Sequence, residues 1–175
     1  MFVFELTAAT VALLIWLYLL LGRGQFWQLD RFYAPQVTSE VAVRVAVVIP
    51  ARNEAKFIGP SITSLLRQAG AQPLHIFLVD DGSTDGTAEA ARQAAQAANG
   101  SDALTVIEGK PLPPGWSGKM WAMQQGVQRA AEFNADFLLM ADADIQHAPD
   151  NVARLVAIAE NGGYDLVSFM VKLCF

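Results

Sequence analysis

The sequence predicts an α/β fold: a mostly parallel sheet with helices on both faces, preceded by one N-terminal transmembrane helix. Three observations carry that prediction. From Arg44 onward, short runs of aliphatic residues alternate with helix-forming segments; runs such as Val45-Ala46-Val47-Val48-Ile49 are apolar at every position; and Asp-rich loops follow several of them. Strands covered on both faces need such unbroken apolar runs, whereas half-exposed strands alternate. The third feature belongs to open α/β sheets, which bind ligands beyond the carboxyl ends of their strands.

The first element is the apolar helix. Leu6 to Gly22 carries no charge and would be roughly 25 Å long, and Phe2, Val3 and Phe4 extend it to the about 30 Å of a hydrocarbon core. With 53% hydrophobic residues and a mean hydropathy of +0.30, the chain is greasier than a soluble domain requires, so part of it is expected to meet lipid. A cleaved signal peptide fits poorly, because the run starts with Glu5 instead of a basic region and ends Leu-Leu-Leu-Gly-Arg with no Ala-x-Ala site. Arg23, Arg31 and Arg44 all follow the run and no Lys or Arg precedes it. The positive-inside rule then places the rest in the cytoplasm, anchored to the inner membrane. Residues 1–22 are read as the anchor, 23–43 as a juxtamembrane connector with Pro35, and 44–175 as the folded domain.

Within that domain the expected strands are Val45–Ile49, Ile76–Val79, Leu104–Ile107, Phe137–Ala141 and Leu166–Val171. The expected helices between them are Phe57–Gln68, Thr87–Ala98, Met120–Phe133 and Val152–Ala159. The Ala-rich helix from Thr87 should pack closely against a neighbour. A single cysteine, Cys174, excludes an internal disulfide and a zinc framework and suits a reducing compartment. The net charge of −5, without Lys/Arg clusters, argues against a nucleic-acid partner.

Three polar clusters sit at expected strand ends: Pro50-Ala51-Arg52-Asn53-Glu54, Asp80 to Gly86, and Asp142-Ala143-Asp144-Ile145-Gln146-His147. Asn53 and Glu54 could simply cap the next helix, and Asp80 to Gly86 could be a tight turn with an N-cap. One residue would suffice for capping, however, and acids beside a nucleotide can accept hydrogen bonds from a base or ribose, a role that suits Asp80 or Asp81. A calcium loop is excluded by Arg92, which stands where a bidentate Glu is required. Asp142 and Asp144 would point to opposite faces of a continuing strand, so they converge on one ion only if the chain turns. Two neighbouring carboxylates are suited to a hard divalent cation that also binds diphosphate oxygens, with Gln146 as a possible neutral ligand. The bland alternative is a loop with two solvated acids. Lys119 lies at the start of an expected helix, where a cation gains nothing from the helix dipole, and this suggests an anion nearby.

These clusters together resemble family 2 glycosyltransferases of the GT-A fold, through PARNE, VDDGSTDGT, the Gly118-Lys119 helix start and DAD. DADIQHAPD is similar to the metal-binding segment of polyprenyl-phosphate mannose synthases, which implies Asp142, Asp144 and Gln146 at a Mg2+ or Mn2+ ion. PLPPGWSGKMWA looks most like the bacterial hopene-associated glycosyltransferases, which share an N-terminal membrane segment. The resemblance implies a nucleotide-sugar donor such as a UDP-sugar, held by Pro50, Ala51, Asn53, Glu54, Asp80, Asp81 and Lys119. It further implies a lipid or other membrane-associated acceptor and transfer with inversion at the anomeric carbon. The catalytic base of such enzymes would lie beyond Phe175, so the chain is expected to be the donor-binding part of a larger domain. Two other readings stay open. A sugar-nucleotidyltransferase would want a Gly-rich, Arg-containing loop after the first strand, and a non-catalytic nucleotide-sugar-binding module would need no base.

Overall fold

A computed structural model describes residues 2–22, 43–70 and 73–169. The chain divides into two compact units, Met1–Tyr33 and Ala34–Phe175. In the first, helix α1 (Phe2–Leu17) continues into a π-helical turn, Tyr18–Gly22. The 20 residues Val3–Gly22 have a mean hydropathy of 2.0 and are long and apolar enough to cross a membrane. The Thr7 and Thr10 hydroxyls donate to the carbonyls of Val3 and Leu6, both at 2.8 Å. Their polar atoms are thus satisfied inside the helix, as an apolar surrounding demands.

The second unit holds four strands, β1 (Val45–Ala51), β2 (Leu74–Asp80), β3 (Leu104–Glu108) and β4 (Phe137–Met140). All pair in parallel, in the order β3-β2-β1-β4. Its α-helices are α2 (Ala55–Leu66), α3 (Thr87–Ala97), α4 (Gly118–Ala130) and α5 (Asn151–Gly162). The central strand β1 is buried on both faces, with Val45 to Ile49 at most 1% exposed. On one face Val45, Val47 and Ile49 meet Ile58, Ile62 and Leu65 of α2, Ala91 and Ala95 of α3, and Val152 and Val156 of α5. The alanines of α3 allow close contact with α2, where Gly59 faces Ala94. On the other face α4 lies on Ala46, Val48 and Phe77. It can approach because Gly126 has no side chain: a Cβ there would stand 2.4 Å from Val48 Cγ1.

Two expectations need correction. Leu166–Val171 was read as a fifth strand, but Leu166 to Phe169 are irregular and Leu166 is 85% exposed; Met170 and Val171 lie outside the described residues. β-branched composition makes a strand only where a neighbouring strand accepts its hydrogen bonds, and no strand among the described residues does so here. β4 is likewise not covered on both faces, since Leu138 and Met140 are exposed while Phe137 and Leu139 turn inward. Helix α4 packs mainly on β1 and β2.

β1 also runs two residues further than its apolar core, through Pro50 and Ala51. Pro50 has no N–H to donate. The carbonyl of Val48 accepts the last bond from the β4 side, from Ala141 N–H at 3.1 Å, and Pro50 faces that same side two residues on. The missing donor therefore falls where β1 and β4 part, and costs nothing. The chain steps outward from β1 to β2 to β3 and then returns to the far side of β1, so this parting is the sheet's topological switch point.

Candidate functional site

A pocket of about 450 Å3 opens at that switch point, lined by the β1 end (Pro50, Ala51, Arg52, Glu54), Asp81, the start of α4 (Gly118, Lys119, Ala122) and Asp142 to Asp144. Open parallel sheets bind ligands in this crevice because two loops diverge there and leave space. The chain turns after β4, with Ile145 N–H reaching the Asp142 carbonyl at 3.4 Å. Ala143 is buried while both flanking carboxylates are exposed to the pocket. The turn thus does what an extended strand could not, and brings Asp142 and Asp144 to one cavity.

Charge in the pocket is unbalanced. Glu54, Asp81, Asp142 and Asp144 face Arg52 and Lys119, a formal excess of two negative charges. Both cations are engaged: Lys119 Nζ donates to Asp142 Oδ1 at 2.6 Å, and Arg52 lies 3.6 Å from Asp81 Oδ2. Gly118 brings the first turn of α4 against Asp81, whose Oδ2 would sit 3.2 Å from a Cβ at that position. Among the described residues no three His, Cys, Asp or Glu side chains form a ready-made metal cluster. The site suits a divalent cation that is shared with a diphosphate, since Mg2+ commonly takes one or two carboxylates and completes its shell with phosphate and water.

The other polar residues of the first two clusters hold the loops in place. Asn53 adopts a left-handed backbone, φ +57°, which Asn tolerates better than most residues. Its Oδ1 accepts from Thr84 N–H at 2.9 Å and its own N–H donates to Ser83 Oγ at 3.0 Å. Asp80 Oδ1 accepts from Ser83 N–H at 2.9 Å. The start of α2 is capped from across the fold: Ala55 N–H donates to Asp85 Oδ2 at 3.0 Å and Glu54 N–H to Thr87 Oγ1 at 2.8 Å. Thr87 is fully buried and donates its hydroxyl to Asp85 Oδ1 at 2.6 Å. That hydroxyl, followed by the Ala55 N–H, holds the Asp85 carboxyl below its ordinary pKa. Asn53 and Asp80 are therefore not among the pocket-lining residues, whereas Asp81, with its neighbours so fixed, is.

Gln146 lies elsewhere. It lines a second cavity with His147, Arg67 and Thr63, beside α2. The segment after Asp144 is pinned there by His147 N–H to Ser64 Oγ at 3.0 Å, and by Gln68, whose amide donates to the Ala148 carbonyl at 2.8 Å and accepts from Val152 N–H at 2.9 Å. Burial lowers the pKa of His147. Arg52 was overlooked in the sequence as a pocket residue. Its signal was the need for a countercharge beside Asp81.

Residues 46–175 match the family model for "Glycosyl transferase family 2". The chain belongs to glycosyl transferase family 2. Among curated family members, it is 34% identical over 131 residues to an undecaprenyl-phosphate 4-deoxy-4-formamido-L-arabinose transferase of Yersinia enterocolitica serotype O:8, covering 74% of this chain and 37% of that protein. The enzyme of the same name from Pseudomonas savastanoi pv. phaseolicola is 36% identical over 129 residues, covering 70% and 34%. The chain thus spans about a third of the length of these relatives. Among solved structures, a mannosyltransferase from Pyrobaculum calidifontis, in complex with GDP-Man and Mn2+, superimposes with a TM-score of 0.58 at 26% identity, covering 89% of this chain and 42% of that one. S. aureus TarS 1–349 with UDP, at 21% identity and a TM-score of 0.52 over 67% of this chain and 32% of its own, shares the fold. The family assignment and the sheet agree on a GT-A, Rossmann-like architecture.

Proposed function

We propose that the chain is the donor-binding part of a membrane-attached glycosyltransferase that takes a sugar from a nucleoside-diphosphate sugar, with UDP as the nucleotide, and passes it to a membrane-embedded isoprenoid lipid. One observation carries the reading: Asp142, Asp144 and Lys119 converge with Asp81 and Glu54 in one pocket at the switch point of a family 2 sheet. The relatives' names supply a lipid-phosphate acceptor, undecaprenyl phosphate, and the loop resemblance supplies a hopanoid. Both are isoprenoid lipids, and the apolar helix Val3–Gly22 suits an enzyme that meets them as a membrane anchor.

In this reading Asp81 and Glu54 accept hydrogen bonds from the base and ribose, and Arg52 keeps Asp81 oriented. Asn53, Asp80 and Asp85 hold the two loops that present them. Asp142 and Asp144 hold a divalent cation, Mn2+ or Mg2+, by analogy with the Mn2+ complex of the Pyrobaculum enzyme. When bound, that cation neutralises charge gathering on the departing diphosphate. Lys119 leaves Asp142 and contacts the diphosphate from the start of α4, whose free N–H groups point the same way. Attack by the acceptor oxygen from the opposite side inverts the anomeric carbon. Gln146 is left outside the cation shell, because Ser64 and Gln68 hold its segment beside α2.

Calorimetric titration of UDP with and without Mn2+ tests the reading. Binding should require the metal and weaken at least about tenfold, or 1.4 kcal/mol, in Asp142→Ala with Asp144→Ala. Metal-independent binding, or binding unchanged in the double variant, would sink it.

A further inference from the structure

The loop between β3 and α4 is built as a rigid apolar platform. Trp116 N–H donates to the Pro113 carbonyl at 3.3 Å, with Pro114 next and Gly115 at φ +86°, the residue chemistry of a type II turn. Its base is closed where Trp121 Nε1 donates to the Lys110 carbonyl at 3.0 Å and Lys110 N–H donates to Oε1 of the buried Gln125 at 2.8 Å. The Trp116 ring stands edge-on to Trp121, centroids 5.3 Å apart. Pro111, Pro113 and Pro114 remove further freedom.

This loop and the first turn of α4 display three apolar side chains: Leu112 is 54% exposed, Trp116 42% and Met120 57%. Met120 directly follows Lys119, which lines the pocket, so the platform borders the pocket mouth. A rigid segment that holds a tryptophan, the preceding leucine and a methionine at the start of α4 in water gains nothing from their order. It gains in the headgroup region of a bilayer, where Trp is enriched and a basic residue such as Lys110 meets anionic lipid.

We infer that Leu112, Trp116 and Met120 form a membrane-contact surface that seats in the lipid interface and brings the pocket mouth to the bilayer. The inference rests on membrane attachment of the chain and not on its transfer chemistry. The rival occupant is another protein surface.

The full chain with Cys174→Ser and one new cysteine, either Leu112→Cys or Met120→Cys, or Gln96→Cys on α3 as the reference, is labelled with an environment-sensitive dye and reconstituted in phosphatidylcholine/phosphatidylglycerol vesicles. Dyes at 112 and 120 should be quenched several times more by nitroxide-bearing lipid than by aqueous iodide, and the dye at 96 the reverse. Iodide access at 112 and 120 equal to that at 96 overturns the inference. Shielding there from both quenchers also overturns it, and reveals a protein occupant. Metal-dependent UDP binding by the same labelled chains reports separately on the transferase reading, so lipid quenching without UDP binding would leave the surface standing and remove only that reading.

Discussion

Lys119 and Asp142 show how the pocket proposed to bind the donor is held by its own residues. Their 2.6 Å contact places an ammonium where the proposed reading puts a metal ion, and a cation at the first turn of a helix is opposed by the dipole. In the proposed reading the arrangement is poised to exchange: a diphosphate would draw Lys119 away and free Asp142 for the metal. Both side chains are more than half exposed, so solvent screening keeps the ion pair itself worth under about 1 kcal/mol. The charge-assisted bond to a diphosphate is worth more, about 1.5–3 kcal/mol. Lys119→Met should accordingly bind Mn2+ alone several-fold more tightly than the parent chain, while its UDP affinity in saturating Mn2+ falls about tenfold or more. Calorimetry with metal alone and then with nucleotide reads both arms. A variant in which both affinities are unchanged would show that Lys119 is only a solvated lysine.

At the scale of elements, two helical glycines with opposite surroundings test how α4 and α2 are seated. A Cβ at Gly126 would stand 2.4 Å from Val48 Cγ1 and 3.1 Å from Val79 Cγ2. Both valines are fully buried and stiff about χ1, so the overpacking cost of about 1–3 kcal/mol outweighs the roughly 1 kcal/mol of helix propensity gained from alanine. At Gly59 the nearest atom is Ala94 Cβ at 3.7 Å, an ordinary contact, and propensity wins. Thermal denaturation should show Gly126→Ala lowering Tm by several degrees and Gly59→Ala raising it. The same contrast explains what could be read in advance. The alternation of strands and helices was legible because apolar runs, breakers and strand-end acids are local signals, and position alone drew attention to Asp142, Asp144, Asp81 and Lys119, which line one pocket. Asn53 and Asp80 could not be told from pocket-lining residues: the partners of Asn53 lie about 30 residues away, and Asp80 resembles Asp81 until the turn is built. The placement of Gln146 beside α2 was hidden for the same reason, because the bonds from Ser64 and Gln68 that draw its segment aside span some 80 residues. The segment from Leu166 shows the reverse limit, a strand-like composition with no neighbour to pair with.

At the scale of the whole molecule, the titrating groups with resolved shifts among the described residues all work in one direction. The chain has two histidines, and burial lowers the pKa of both. His75 lies among Phe77 and Phe133 and bonds to Thr105 Oγ1 at 2.8 Å; His147 bonds to Asn151 Nδ2 at 2.9 Å. A lowered pKa means that the unfolded chain binds more protons than the folded one, so stability rises with pH across the interval between the two values. The histidine contribution is therefore fully present above the unfolded value near 6.5 and is lost as pH falls through the lower folded values. Asp85 adds a second step with the same sign, present above the ordinary carboxylate range and lost below about pH 4, when protonation weakens the cap it provides to Ala55 and Thr87. The second compact unit should thus lose stability in two stages on acidification. Tm measured from pH 7.5 to 3 is expected to fall first as the pH drops below about 6.5 and again below about 4. In His75→Asn with His147→Asn the first fall should flatten while the second persists. A first step that survives in the double variant would assign it to other groups and remove the histidines from the account.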